Sequence, residues 1–249
     1  SFQVKREEFD NVLLQSARKL GADIRHGYEV IAYDNEKNQL TAKDKEGNIK
    51  EFEAKFVLDA SGYGRVLPKL LDLDIPSDLR LRNAIFTRVK GEIRREKDFE
   101  GFIDIVIHDN NQAWLWVIPF SDGTTSCGIV CEEEYFKKTG LSQEEFWDKV
   151  INEHAYLKEK FKDAKKIVPV GIISGYSAAI KKMYGKGFAL SGNATEFLDP
   201  VFSSGVTLAL ESANKVAELI IKELKGEKVD WQKDYEDYMT SEFGDIYSI

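Results

Sequence analysis

The chain has 249 residues, of which 43% are hydrophobic, and a formal charge of −8, so it can bury a full core in one domain or two. The acidic balance, with Lys and Arg scattered along the chain, argues against a nucleic-acid surface. No apolar run approaches the roughly 20 residues that cross a bilayer, and no charged-then-apolar leader stands at the start, so a soluble, cytoplasmic, non-transmembrane protein is expected.

Residues 5–20 have the apolar spacing of an amphipathic helix, with Phe9, Val12, Leu13, Ala17 and Leu20 on one face and Gly21 as its stop. That face is expected to pack. Three short extended runs, 29–33, 40–43 and 48–52, are separated by turn residues (34–38, then Glu46-Gly47) and form a small antiparallel meander. Phe56-Val57-Leu58 follows as a buried parallel strand that ends in Asp59-Ala60-Ser61-Gly62. Ligands of open α/β sheets gather at such carboxyl ends, although an Asx-type turn explains Asp59 and Gly62 almost as well.

From about residue 78 the pattern changes to long alternating strands at 84–90, 101–108, 113–120 and 124–131, the last three joined by Asp109-Asn110-Asn111 and Ser121-Asp122-Gly123. Alternation puts Trp114, Trp116 and Ile118 on one face, where the plain expectation is that large aromatics fill the core. Cys127 and Cys131 share a strand face. Four extended residues span about 13 Å, beyond the roughly 7 Å that a disulfide allows, so both are read as buried thiols. The three histidines, His26, His108 and His154, fall in separate elements without ligand spacing, and no metal site is expected. Ser142 with Glu145 makes a capping box for a helix through Phe146, Val150, Ile151 and Tyr156. Another extended run covers 167–177.

The stretch 187–213 carries the densest chemistry. Phe188-Ala189-Leu190 reads as a buried strand, Ser191-Gly192-Asn193 breaks it, and the loop crosses Asp199-Pro200. Ser203-Ser204-Gly205 then opens a helix over 206–224 with Val206, Ala209, Leu210, Ala213, Ala217 and Ile220 at helical spacing. Free N–H groups at a helix start suit an anion or developing negative charge, and Gly205 lets a planar ligand approach the backbone. Ser203 or Ser204 can equally be an N-cap. Residues 230–243 read as a last helix, with Trp231, Tyr235 and Tyr238 at helical spacing.

This stretch resembles the second flavin-binding motif of FAD-dependent monooxygenases, halogenases and geranylgeranyl reductases. The resemblance implies that Gly192 and Asn193 meet the ribityl chain, and that Asp199, Pro200, Ser203, Ser204, Gly205 and Val206 line the isoalloxazine. Asn193 stands where the family has Asp; it can still hydrogen-bond a hydroxyl but carries no charge. Val4, Arg6, Phe9, Asp10 and Leu13 match the family's V-x-R-x-x-F-D-x-x-L, which implies a cofactor contact for Arg6. Asp59-Ala60-Ser61-Gly62 resembles the motif at the flavin's dinucleotide half, so Asp59 and Gly62 are cofactor candidates. Trp114-x-Trp116-x-Ile118-Pro119 is similar to the W-x-W-x-I-P signature of flavin-dependent halogenases, where the tryptophans lie beside the tunnel between flavin and substrate.

Phe202 occupies the place of the tryptophan-halogenase glutamate, which turns the resemblance towards phenol and pyrrole halogenases and their non-halogenating relatives. In halogenases halide, chloride or bromide, is held at the backbone of the residues that correspond to Ser204 and Gly205.

The chain has no G-x-G-x-x-G between a strand and a helix, and Gly185-Lys186-Gly187 is too short. In the family that fingerprint and the halogenation lysine lie upstream, so these residues are expected to be part of a longer flavoprotein. The implied fold is α/β of the p-hydroxybenzoate hydroxylase type, α+β in this portion, an incomplete Rossmann-like FAD domain with an inserted antiparallel substrate domain. Its expected divisions are 1–78 and 168–225 for the flavin domain, 79–167 for the substrate domain and 226–249 for a C-terminal helix.

The implied activity is an FAD-dependent oxidoreductase using reduced flavin and dioxygen on an apolar or aromatic small molecule, with electrons from a flavin reductase or NAD(P)H. Ser204, Gly205, Trp114, Trp116 and Phe202 would serve the reaction. A prenyl-chain reductase and a non-catalytic binding or assembly module stand as the two alternatives.

Overall fold

A computed structural model describes residues 3–76, 81–174, 179–195 and 203–241. The chain divides into two compact units, Ser1–Ile24 with Arg80–Tyr176, and Arg25–Leu79 with Ser177–Ile249.

The first unit is built on an antiparallel sheet. Strand Arg82–Lys90 pairs with Thr124–Glu132, then Ala113–Pro119, then Asp104–His108, while Lys165–Lys166 and Gly171–Ser174 line the outer edge of Arg82–Lys90. The turns fall where the polar triplets predict them: Asp109, Asn110 and Asn111 have φ of 45°, 50° and 70°, and Gly123 has 81°, the left-handed region that Asn, Asp and Gly tolerate. The strand expected from residue 101 starts later, at Asp104, because the Phe102 amide turns back to the Phe99 carbonyl at 3.0 Å.

One sheet face, with Ile85, Val89, Ala113, Leu115, Val117, Cys127, Ile129 and Cys131, packs on Phe146, Trp147, Val150, Ile151 and Leu157 to form the core. Burial pushes the Cys127 thiol up and the Cys131 thiol up to about 12, so neither is a nucleophile at neutral pH.

Ser142 forms the expected capping box: its Oγ accepts the Glu145 N–H at 3.3 Å and Glu145 Oε2 accepts the Ser142 N–H at 2.9 Å. The helix does not run through to Tyr156. It divides into Gln143–Glu153 and Ala155–Lys160 at an extended His154 (φ −97°, ψ 111°). An additional helix, Glu133–Thr139, ends at Gly140 with φ 66°.

Helix Arg6–Lys19 stops as expected: the Ala22 N–H reaches the Ala17 carbonyl at 3.1 Å and the Gly21 N–H the Arg18 carbonyl at 3.0 Å, a Schellman closure around Gly21 at φ 98°. Its apolar face is only partly covered, however, with Phe9 half-buried and Val12, Leu13 and Leu20 exposed. No residue of the helix is buried, and Val12 is 62% and Leu20 89% exposed. The helix groups with the antiparallel sheet, where Lys5 pairs with Asp122. Gly171–Ser174, by pairing with Arg82–Lys90, belongs to the sheet of this unit.

In the second unit Glu29–Asp34, Gln39–Lys43 and Ile49–Glu53 form the meander in that order. Val57–Asp59 and Phe188–Leu190 pair in parallel, with Val57 opposite Phe188 and Asp59 opposite Leu190, and Tyr184–Gly185 flanks Phe188–Leu190. Helices Val66–Leu70 and Gly205–Leu224 and an antiparallel strand pair of Asp74–Ile75 with Ala179–Ile180 complete the frame. The last helix covers 231–241 and widens into a π-turn at Gln232–Glu236. Val57, Leu67, Phe188, Leu190, Val216, Leu219, Tyr235 and Met239 share its core.

Candidate functional site

Two adjacent parallel strands deliver both glycine turns of the second unit. At the end of Val57–Asp59 the buried Asp59 carboxylate has both oxygens engaged: Oδ1 accepts the Ser61 N–H and Oδ2 the Leu67 N–H, each at 2.7 Å. Asp59 is therefore an Asx-turn residue that also caps helix Val66–Leu70, with each carboxylate oxygen already accepting one backbone N–H. The Asx-turn reading of Asp59 is the one these bonds support. Gly62, at φ 58° with nothing within 4 Å of the point a Cβ would occupy, keeps the turn open.

Next to it, the Ser191 N–H donates to the Asp59 carbonyl at 2.9 Å, and the chain enters the turn Gly192–Ala194, which packs on both Gly62–Gly64 and helix Gly205–Leu224. Gly192 has φ 56°, and a Cβ there would lie 3.2 Å from that of Ala209. The buried Ser212 Oγ accepts the Gly192 N–H at 3.0 Å and meets Ser191 Oγ at 3.0 Å, tying turn to helix. The Asn193 side chain is half-buried and makes no hydrogen bond among the described residues.

Among the described residues the helix start is open. Ser204 is the N-cap residue but has αR dihedrals (φ −75°, ψ −13°) and makes no side-chain cap, and no acidic residue occupies the first turn. The expectation of a serine N-cap is not met, because a capping serine needs extended dihedrals to reach the N2 or N3 amide. Ser203 is exposed at φ 53°, and nothing lies within 4 Å of a Cβ on Gly205. Val206 is half-buried in the first turn. Asp199, Pro200 and Phe202 lie outside the described residues.

The tryptophans belong to the first unit, on the sheet face opposite its core. Trp114 is 7% exposed, and its Nε1 donor is buried without a partner among the described residues. Trp116 Nε1 donates to Ser126 Oγ at 3.2 Å, and the two indoles lie 6.1 Å apart, tilted by 53°. Trp114 is buried as expected, but the cluster packed on the helices is formed by Leu115 and Val117, of opposite parity, and Trp116 is only half-buried. Trp116 lies across Gly128, its register partner on the next strand, where any Cβ would overlap the indole's six-membered ring. Gly128→Ala should displace Trp116 and lower stability by about 1–3 kcal/mol, read as a lower Tm together with a shifted tryptophan emission; unchanged emission would show that the ring does not rest there. Arg6, also in this unit, grips Asp10 through two bonds of 2.9 Å and holds the Asp10 carboxyl below its ordinary range.

The sequence spacing missed a histidine pair. His108 and His154 have ring centroids 6.5 Å apart, with His108 Nε2 3.9 Å from Glu153. Burial lowers the His108 pKa against the opposing pull of Asp109 and Glu153, and His154 and Lys149 lower it further. A base depressed in the folded state takes up less proton than the unfolded chain. Stability is therefore full above the ordinary value of 6.5 and falls as pH drops from there through the lower folded value. Thermal melts from pH 7 to 5 should show a shallower fall for His108→Gln than for the native chain.

Glycine turns at the carboxyl ends of neighbouring parallel strands, beside a helix start, belong to an α/β fold, in which ligands gather at such strand ends. The tryptophan halogenase family profile matches residues 1–249, and the chain belongs to that family. It is 30% identical over 231 residues to the 1H-pyrrole-2-carbonyl-(peptidyl-carrier protein) chlorinase of Pseudomonas fluorescens Pf-5, covering 90% of this chain and 51% of that one. Among solved structures, a flavoprotein/dehydrogenase from Cytophaga hutchinsonii matches with a TM-score of 0.89 at 40% identity, over 96% of this chain and 59% of that one. The myxobacterial chondrochloren halogenase CndH, an FAD-dependent halogenase, matches with a TM-score of 0.88 at 28% identity, over 100% and 59%. The chain thus spans about half the length of the curated relatives it matches.

Proposed function

We propose that this chain carries the ribityl- and isoalloxazine-facing part of an FAD site, and that the whole protein is a flavin-dependent halogenase or a close monooxygenase relative. The observation that carries this reading is the open start of helix Gly205–Leu224. Among the described residues its amides have no side-chain cap, nothing lies within 4 Å of a Cβ on Gly205, and the Asn193 amide, which has no partner, stands on the turn that packs against the same helix. These residues fit the group: a flat ring system whose pyrimidine edge takes on negative charge suits backbone donors without a Cβ in the way, and ribityl hydroxyls suit a hydrogen-bonding side chain such as the Asn193 amide.

Gly192 and Asn193 would bind the ribityl hydroxyls. Backbone amides at Ser204 and Gly205 would hold negative charge on the pyrimidine ring or a chloride or bromide ion. Ser203, Val206, Asp199 and Pro200 would frame the ring, and Gly62 would leave room for the dinucleotide half. Trp114, Trp116 and Phe202 would shape a dry pocket for an apolar or aromatic small molecule, and Arg6 would support the cofactor from its helix. Bound flavin, reduced by a flavin reductase or NAD(P)H, supplies electrons to dioxygen. No helix among the described residues is long and apolar enough to cross a membrane, and we place the protein in the cytoplasm.

The test is a titration of the full-length protein with FAD, followed by turnover with reduced flavin, dioxygen and bromide or chloride. Perturbed flavin bands and halide-dependent product are expected. An unperturbed spectrum would overturn the flavin reading, and alkene reduction without oxygen uptake would move the protein to the prenyl-chain reductases.

A further inference from the structure

The buried cation of the second unit, Arg65, has no motif to mark it in the sequence, and its contacts join the two glycine turns. It is 7% exposed. Its Nε donates to Asp74 Oδ1 at 2.8 Å and its Nη2 pairs with the same carboxylate; Nη2 also donates to the Ala179 carbonyl at 3.1 Å. Nη1 donates to the Thr195 carbonyl at 2.9 Å and to the Ala194 carbonyl at 3.4 Å. One planar fork thus binds three segments: its own turn after Asp59, the antiparallel strand pair Asp74–Ile75/Ala179–Ile180, and the end of the turn that carries Gly192 and Asn193. A lysine ammonium is a point donor and cannot span acceptors set so far apart.

Arg65 also has left-handed backbone dihedrals (φ 47°, ψ 53°), a conformation that costs a residue with a Cβ and that glycine adopts freely. Such strain persists where the side chain is needed. On its other side the Gly192–Thr195 turn is closed by the Thr195 N–H and Oγ1, both donating to the Gly192 carbonyl at 3.0 and 2.7 Å. The turn therefore hangs between Ser212, on the helix, and Arg65.

We infer that Arg65 is a positioning residue: it fixes the Gly192–Thr195 turn relative to the Gly62–Gly64 turn, so that the two halves of the cofactor site keep one spacing. This rests on the FAD reading above for its ligand, but not for its geometry.

The experiment compares the native protein with Arg65→Lys and Arg65→Ala by amide hydrogen exchange and by fluorescence titration with FAD. With Arg65→Ala, exchange at Ala194 and Thr195 should rise about tenfold or more, while Val216 and Leu219 in the helix hold their protection. FAD should bind about tenfold more weakly, as the loss of charge-assisted bonds predicts, and Arg65→Lys should recover only part of both effects. Unchanged exchange in the turn overturns the inference. So does an equal loosening of Val216 and Leu219, which would make Arg65 a residue of the fold alone. If the native protein binds no FAD, the flavin reading fails, and local exchange at residues 194 and 195 decides the role of Arg65 without it.

Discussion

Changing Asp59 to Asn should destabilise the ligand-free protein by about 2–4 kcal/mol, although the replacement is nearly the same size. Both carboxylate oxygens accept backbone N–H groups at 2.7 Å in a buried position. An amide offers one acceptor and must turn its NH2 towards the other donor, which leaves the Ser61 or Leu67 N–H buried and unpaired. Hydrogen bonds to a charged group are worth about 1.5–3 kcal/mol each, and an orphaned donor adds its own desolvation cost. For a chain of this length, a loss of that size lowers Tm by about 5–15 °C. A residue that merely touched cofactor would behave otherwise: Asp59→Asn would leave the ligand-free melt unchanged and alter only FAD binding. Differential scanning calorimetry without added flavin separates the two, and an unshifted Tm would sink the structural role of Asp59.

The contrast between Asp59 and Gly192 shows which parts of the molecule local sequence can reveal. Period-two runs between Asn, Asp and Gly triplets place the antiparallel strands within a few residues, because pleat and turn dihedrals are set by near neighbours. The same holds for the Ser142 box and the Gly21 stop. The signals for helix Glu133–Thr139 are local too, with Glu133 and Glu134 in its first turn, Lys137 and Lys138 in its last, and Gly140 behind it.

Which sheet face is core could not be read from strand alternation. Strand Ala113–Pro119 is apolar on both sides, and only the position of helix Gln143–Glu153 makes Leu115 interior and leaves the tryptophans on the opposite face. The break at His154 has no glycine or proline to announce it. Arg65 is further out of reach: its acceptors at Ala194 and Thr195 lie 129 and 130 positions away, and a cation in a Gly-Tyr-Gly-Arg loop looks like any solvated charge until the fold closes over it. The motif at 187–213 is visible through resemblance, whereas the open helix start beneath it is not, since Ser-Ser-Gly carries the composition of a capped helix.

Gly192→Ala is the second substitution expected to have a large effect, and its cost has two separable parts. At φ 56° an alanine costs about 1–2 kcal/mol for the left-handed backbone. Its Cβ would also lie 3.2 Å from the Ala209 Cβ and 3.4 Å from the Ala209 Cα, so the turn must lift off the helix or the helix must shift, an overpacking cost of about 1–3 kcal/mol. Lifting the turn stretches the 3.0 Å bond from the Gly192 N–H to Ser212 and carries Asn193 away from the helix start. Gly192→Ala should therefore weaken FAD binding as well as lower Tm. Ala209→Gly alone should cost about 1 kcal/mol as a glycine inside a helix. Combined with Gly192→Ala, it should return the steric part while leaving the dihedral part in place, a favourable coupling between two residues in contact. If the double variant regains FAD affinity along with stability, close approach of turn and helix is what the site requires. If stability returns and affinity does not, the left-handed backbone at residue 192 is itself what aims Asn193 at its ligand. Strict additivity of the two changes would refute the contact between Gly192 and Ala209.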